Sequence, residues 1–171
     1  GPMDVCEVIW GSGMFVELFD KPELVHQLLD LVTDTYIRFR ARWLELMPAE
    51  GDRDTHWALR HKGHVMLRDD SAMNLSPDMF AEFIAPYNQR ILRECGGGAD
   101  HFCGRGDHYI DQLTDLEGLH AINLSQPEYN DMEAIYRATV DKGIPIIGFQ
   151  RAVAEQAVAD GRDFHGLMHC W

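Results

Sequence analysis

Short apolar runs alternate along this chain with capped, amphipathic stretches, and that alternation constrains the fold more than any other feature. The runs His64 to Asp70, Ala99 to Cys103, His120 to Ser125 and Ile144 to Phe149 read as strands, and Phe164 to His169 as a last short one. Between them lie helix signals. Ser76-Pro77-Asp78 offers Ser76 as a cap and Pro77 at the first helical position, Asn130-Asp131-Met132-Glu133 has the form of a capping box, and Arg151 to Ala159 is a further helical stretch. A parallel neighbour is reached only by a crossover of about a dozen residues or more. The expectation is therefore an α/β fold with about four to five parallel strands alternating with helices.

The N-terminal third has a different pattern. Gly1-Pro2-Met3 has the form of a cleavage scar before an initiator, which sets the expected native start at Met3. Residues 4–19 are apolar and interrupted at Gly11-Ser12-Gly13, as in a short helix or docked segment with a break. Asp20-Lys21-Pro22-Glu23 then reads as a helix start with Asp20 as cap. Leu24, Val25, Leu28, Leu29, Val32, Tyr36, Phe39 and Trp43 follow at helical spacing, one buried stripe running to about Met47 before Pro48. Residues 48–63 are polar, with Gly51 and Gly63, and read as a surface loop. Pro86 is expected to bend the helix that carries Phe80, Phe83, Tyr87 and Ile91.

Composition narrows the partners. With 171 residues and 46% hydrophobic content the chain holds one domain with a real core, and its formal charge of -13 disfavours nucleic acid and anionic lipid. No apolar run is long enough to span a bilayer, so no membrane is expected. Cys6, Cys95, Cys103 and Cys170 are scattered and no signal peptide precedes them, which suits reduced thiols and a cytoplasmic location.

Chemistry is concentrated where the strand Ala99 to Cys103 meets Gly104-Arg105-Gly106-Asp107. Alternate residues of a strand share a face, so His101, Cys103 and Arg105 are expected to project together, with Asp107 free to cap the next helix. Asn123, on the neighbouring strand, is expected on that same inner face. Asp69 and Asp70 are adjacent and point to opposite faces, which excludes a paired-carboxylate site. The plainer reading of His101 and Cys103 is a strand-end histidine and a small buried thiol without metal, and it stands first.

Taken in order, Lys21-Pro22-Glu23-Leu24-Val25-His26-Gln27-Leu28-Leu29, Asp69-Asp70-Ser71, Leu75-Ser76-Pro77, Ala85-Pro86-Tyr87 and His101-Phe102-Cys103-Gly104 resemble the C-terminal half of the uroporphyrinogen decarboxylase superfamily. That superfamily includes corrinoid-dependent methyltransferases. The resemblance covers nearly the whole chain and implies half of a (βα)8 TIM barrel, from the third helix to the eighth strand. It also implies that the arginines and the aspartate with which the decarboxylases hold their substrate have no positions here. Asp70 falls where the decarboxylases carry a serine and His169 matches the family's C-terminal histidine, so these two are the catalytic positions the resemblance supplies. An acid in place of a hydroxyl repels a polycarboxylate.

In the methyltransferase branch a His-x-Cys pair and a later cysteine hold zinc. By resemblance His101 and Cys103 are metal ligands here, with His169 or Cys170 as the third, and Arg105 and Asn123 line the binding face. No cofactor is otherwise required. Zinc binding is expected to be weak, because an incomplete barrel wall prepositions its ligands poorly. Two expectations follow for function: a half-barrel without decarboxylase activity of its own, or half of a split enzyme completed by an N-terminal-half partner chain or a second copy. A homodimer in exchange with monomer is the expected assembly, since a sheet cut from a barrel has two open edges.

Overall fold

In the computed structural model, which describes residues 1–171, the N-terminal third folds as three helices, α1 (Pro2–Trp10), α2 (Met14–Asp20) and α3 (Pro22–Leu46). The expected break at Gly11-Ser12-Gly13 separates α1 from α2. Gly1 and Pro2 are built into the fold rather than standing outside it. Pro2 opens α1 and is buried, and a Cβ on Gly1 would lie 2.1 Å from Asp69 Oδ1. Asp20 does not cap α3. It is the last residue of α2, and Lys21 takes the cap position without a side-chain bond. Of the stripe on α3 only Val25 and Leu29 are buried, whereas Leu24, Phe39 and Trp43 are 44%, 63% and 43% exposed, the last two stacked on each other. The helix packs on α1, α2 and the later helix Ala85–Glu94, and its last turns run past them to border the segment at residues 53–56, where Arg40 pairs with Asp54.

The stretch expected to be a surface loop contains an antiparallel hairpin, β1 (Arg53–His56) and β2 (Leu59–Lys62). After it come β3 (Val65–Arg68), a 3-10 turn (Asp70–Asn74), α4 (Pro77–Phe83), α5 (Ala85–Glu94) and β4 (Gly98–Phe102). The remaining elements are α6 (Ile110–Thr114), β5 (Leu119–Leu124), α7 (Met132–Ala138), β6 (Ile146–Phe149), α8 (Arg151–Ala159) and β7 (Met168–Cys170). Ser76 caps α4 by accepting from the Met79 amide, and Pro86 lies just after the break between α4 and α5. Asp131 caps α7 through the Glu133 and Ala134 amides. Asp107 caps nothing. α6 starts beyond it, at Tyr109, and its carboxylate accepts instead from the Asp131 amide.

The five strands β3 to β7 lie side by side in chain order and all run parallel. A doubly wound sheet reverses its order at a switch point, whereas a barrel wall adds each strand beside the last. This is the architecture of half a (βα)8 barrel. Val65, Leu67, Phe102, Ile122, Leu124, Ile146 and Phe149 belong to one large core that the helices complete with Phe80, Ile91, Leu113, Ile135 and Ala154. On the other face Ala99, Ala121 and Ile147 form a second, smaller cluster closed by Leu59 of the hairpin. Leu59 is 2% exposed, and burying a leucine contributes about 1.5 to 3 kcal/mol. The hairpin thus covers inner-face surface that an open half-barrel would leave in water. Gly63 permits its close return: φ is +82°, and a Cβ would meet the Gly97 backbone at 2.2 Å.

Candidate metal centre

Strand alternation along β4 sends Ala99, His101 and Cys103 toward the inner face and Phe102 into the outer core. On β5 the same rule brings Asn123 beside His101. The Asn123 Nδ2 donates to the Ile147 carbonyl at 2.6 Å, which turns its Oδ1 toward His101 Nδ1, also at 2.6 Å. That approach needs bare backbone on β6. Gly148 has φ +66°, and a Cβ there would lie 2.9 Å from Asn123 Nδ2. An amide oxygen only accepts, so His101 carries a proton on Nδ1, and Nε2 is the ring nitrogen directed away from Asn123.

Nε2 faces two further side chains. Cys103 Sγ lies 3.3 Å from His101 Nε2, and Asp70 Oδ1 lies 3.4 Å from it. The candidate ligand atoms of Asp70, His101 and Cys103 all fall within 4.8 Å of one another. Asp70 is held from both sides of the loop after β3. Its Oδ1 accepts from the Cys103 amide at 2.8 Å, and Arg68 reaches its Oδ2 at 3.2 Å. Its own amide donates to Asp4 on α1, as does that of Ser71.

The charges are graded. Burial pushes the Asp70 carboxyl up, but the bonds from Cys103, the His101 imidazole and Arg68 outweigh it and leave the group below the usual carboxylate range. Cys103 moves the other way. Burial and the neighbouring Asp70 carboxylate raise its thiol, with the Ser125 side chain opposing them. Behind the cluster Asp69 and Asp100 are fully buried, and burial raises both, Asp100 further because Asp69 is beside it.

His101 is 6% exposed, and Trp57 of the hairpin meets its ring edge-on at 5.1 Å between centroids. Arg68 sits 5.2 Å over the same indole. Trp57 and Ala58 form the two-residue turn of the hairpin and have φ of 48° and 66°. Both positions of such a turn require the left-handed region, which favours glycine and asparagine. The backbone is strained where the indole is placed on the site.

Of the residues expected here, the structure brings His101, Cys103, Asn123 and Asp70 together and leaves the others apart. His169 uses Nδ1 to accept the Gly148 amide at 3.2 Å, and Cys170 packs against the outer core. Neither joins the group of ligand atoms. Arg105 does not share the face of His101 and Cys103. Its side chain is 61% exposed and paired with Asp107 at 2.7 Å. Beyond the strand, Gly104 and Gly106 let the chain turn out of the face.

Four residues of the site were not evident from the sequence: Trp57, Arg68, Ser125 and Asn130. Asn130 pins the loop after β4, accepting from the Gly106 and Asp107 amides and donating to the Gly104 and Gln126 carbonyls. The sequence places it at the head of the Asn130-Asp131-Met132-Glu133 capping box, but Asp131 is the cap and Asn130 is turned to the loop instead. No protein-family model matches the chain, and no curated protein matches it.

Nitrogen, sulfur and carboxylate oxygen on three converging side chains form a donor set suited to zinc. The fit rests on the chain itself. Asn123 holds Nδ1 and so fixes the ring with Nε2, the nitrogen a metal would take, toward Cys103 and Asp70.

Proposed function

We propose that this chain is a uroporphyrinogen decarboxylase-like half-barrel without decarboxylase activity of its own, whose strand-end cluster is a zinc site of the methyltransferase kind. The observation that carries the reading is the orientation of His101: Asn123 holds Nδ1, and Nε2 is directed at Cys103 and Asp70. Asp70 supplies the third ligand, the place that the resemblance gave to His169 or Cys170. Zinc bound there would lower the pKa of a coordinated thiol or water and so supply a nucleophile near neutral pH.

The remaining work falls to the side chains. Asp70 and Cys103 must both be ionised to ligate; the first is held in that form already, and the second is the group whose proton leaves on binding. Trp57 covers one edge of the imidazole and excludes water from it. The Asp70 carboxylate also disfavours a polyacidic substrate at this strand end, which supports the absence of decarboxylation.

Zinc titration of the chelator-stripped chain tests the reading. Stoichiometric binding is expected, weakened at least tenfold in Cys103→Ser and in Asp70→Asn with the circular dichroism spectrum retained. No stoichiometric binding by the unaltered chain would sink it. Purified chain is expected to leave uroporphyrinogen unchanged, and turnover that survives removal of host enzyme would contradict the first half of the proposal.

A second reading concerns assembly. β3 and β7 are the two edges of the sheet, and Val8, Ile9, Val16 and Phe19 on α1 and α2 are 60% or more exposed. We infer that a second copy of the chain covers part of this surface in a monomer–dimer exchange.

A further inference from the structure

At the opposite end of the sheet from the metal centre, the hairpin overhangs the first residues of β5 and β6. The cleft beneath it is about 380 Å³, within the range of small-molecule sites. Leu119, Ala121, Ile144, Pro145 and Ile147 provide an apolar floor, and Arg53, Arg60, Lys62, His61 and His120 provide everything polar but backbone. No carboxylate lines it, in a chain with 28 acidic residues, although Arg53 and Arg60 also border a neighbouring cleft that carries Glu50 and Asp54.

The cations are placed against their own electrostatic interest. In the hairpin register Arg53 lies directly opposite Lys62, and Arg60, opposite Thr55, is the diagonal neighbour on the same face. Like charges directly across a strand pair repel and destabilise it. Arg60, Lys62 and Arg137 are the lysine and arginine side chains that make neither an ion pair nor a hydrogen bond, and two of these belong to this cleft. Arg53 has only Asp52, at 3.8 Å and largely in solvent. His120 lies within the same field: burial, then Lys62 and His61, lower its pKa, with Asp52 opposing them.

We propose that this cleft binds a phosphomonoester, with the dianionic head between Arg53, Arg60 and Lys62 and a small apolar body on the floor formed by Leu119, Ile144, Pro145 and Ile147. Guanidinium forks match the paired oxygens of a phosphate, and a dianion offsets two of the three cations, the third, Arg53, having Asp52 beside it. The apolar floor calls for an ester rather than the free ion.

Phenyl phosphate, inorganic phosphate and benzoate serve as probes, at matched ionic strength, with thermal melting and calorimetric titration as readouts. Phenyl phosphate is expected to raise the melting temperature most, inorganic phosphate less, and benzoate, a monoanion with the same ring, least. In the double variant Arg60→Gln/Lys62→Gln the affinity for phenyl phosphate is expected to fall at least tenfold. Without ligand, that variant is expected to melt at or above the temperature of the unaltered chain, because the cross-strand repulsion is gone. Cys103→Ser is expected to keep the response, which separates this cleft from the metal centre. The proposal is overturned by no response in the unaltered chain, by benzoate matching phenyl phosphate, by an undiminished response in the double variant, or by its loss in Cys103→Ser.

Discussion

At the scale of single residues, Asn123 governs what the inner face is able to do. Its amide is read from one side by the Ile147 carbonyl, so its oxygen has no choice but to face His101. Asn123→Ala removes the acceptor without touching a ligand atom. Zinc affinity is then expected to fall about 10- to 100-fold, the usual cost of losing a partner of a ligating histidine. Titration beside a thermal melt checks this, and full affinity in a folded variant would show that the hold on Nδ1 is not what matters. The His-x-Cys spacing was legible because Cys103 directly continues the strand that carries His101. Asp70 as their partner was not, since its approach depends on the β3–β4 register and on α1, which no local pattern encodes.

Asp107 makes the same point with a sign that is testable by pH. Burial raises its pKa, but the Asp131 amide, Arg105 and His108 more than offset that, and the net shift is downward. A group with a lowered folded pKa stabilises the fold above its unfolded value, near 4, and that contribution disappears as pH falls through the folded value. Asp107→Asn is therefore expected to cost about 1.5 to 3 kcal/mol at pH 7, the range for hydrogen bonds to a charged group, and much less at pH 3. Denaturant melts at the two pH values measure the difference. An equal loss at both would mean that the charge plays no part.

At the scale of elements, the hairpin departs furthest from what the sequence suggested. The helices and the parallel strands were legible because each carries a period of its own, 3.6 or 2, together with a cap or an apolar run. Residues 53–62 alternate too, but the alternation is of His, Arg and Lys with Leu59 as the one large apolar residue of the two strands, and the turn is Trp57-Ala58 where Asn-Gly would signal a hairpin. The Asp20 cap failed for a related reason: α2 continues to Asp20 and takes it up. Local capping rules do not know what the preceding element needs. Since Ala58 holds φ at 66°, Ala58→Gly is expected to stabilise the chain by about 1 kcal/mol, against the 1 to 2 that the left-handed region costs a residue with a Cβ. Leu59→Ala should do the reverse, by about 2 to 5 kcal/mol. Chemical denaturation of both variants decides it; a destabilised Ala58→Gly would mean that the turn is not strained.

For the whole molecule the question is how a barrel wall persists with two edges. Part of the answer is within the chain. Gly1, Pro2 and Val5 stand beside Met66, Leu67 and Arg68, so α1 shields the β3 side, and β7 is only three residues long, a length that offers little to a pairing strand. The inner face is closed by Leu59 near the hairpin and is polar at His101 and Asn123. What stays uncovered is the outer side of α1 and α2, where Val8 is 85% and Phe19 74% exposed. Apolar surface of this kind favours association, while a net charge of -13 on each copy opposes it. Salt screens the second term and leaves the first. Dimerisation is therefore expected between micromolar and millimolar concentration, tighter as salt rises, and at least tenfold weaker in Val8→Glu, which adds charge to the patch without entering the core. Sedimentation equilibrium across that range separates the outcomes. A single 19.5 kDa species at every loading would exclude the association, and dimerisation that weakens with salt, or that Val8→Glu leaves intact, would move the contact away from α1 and α2.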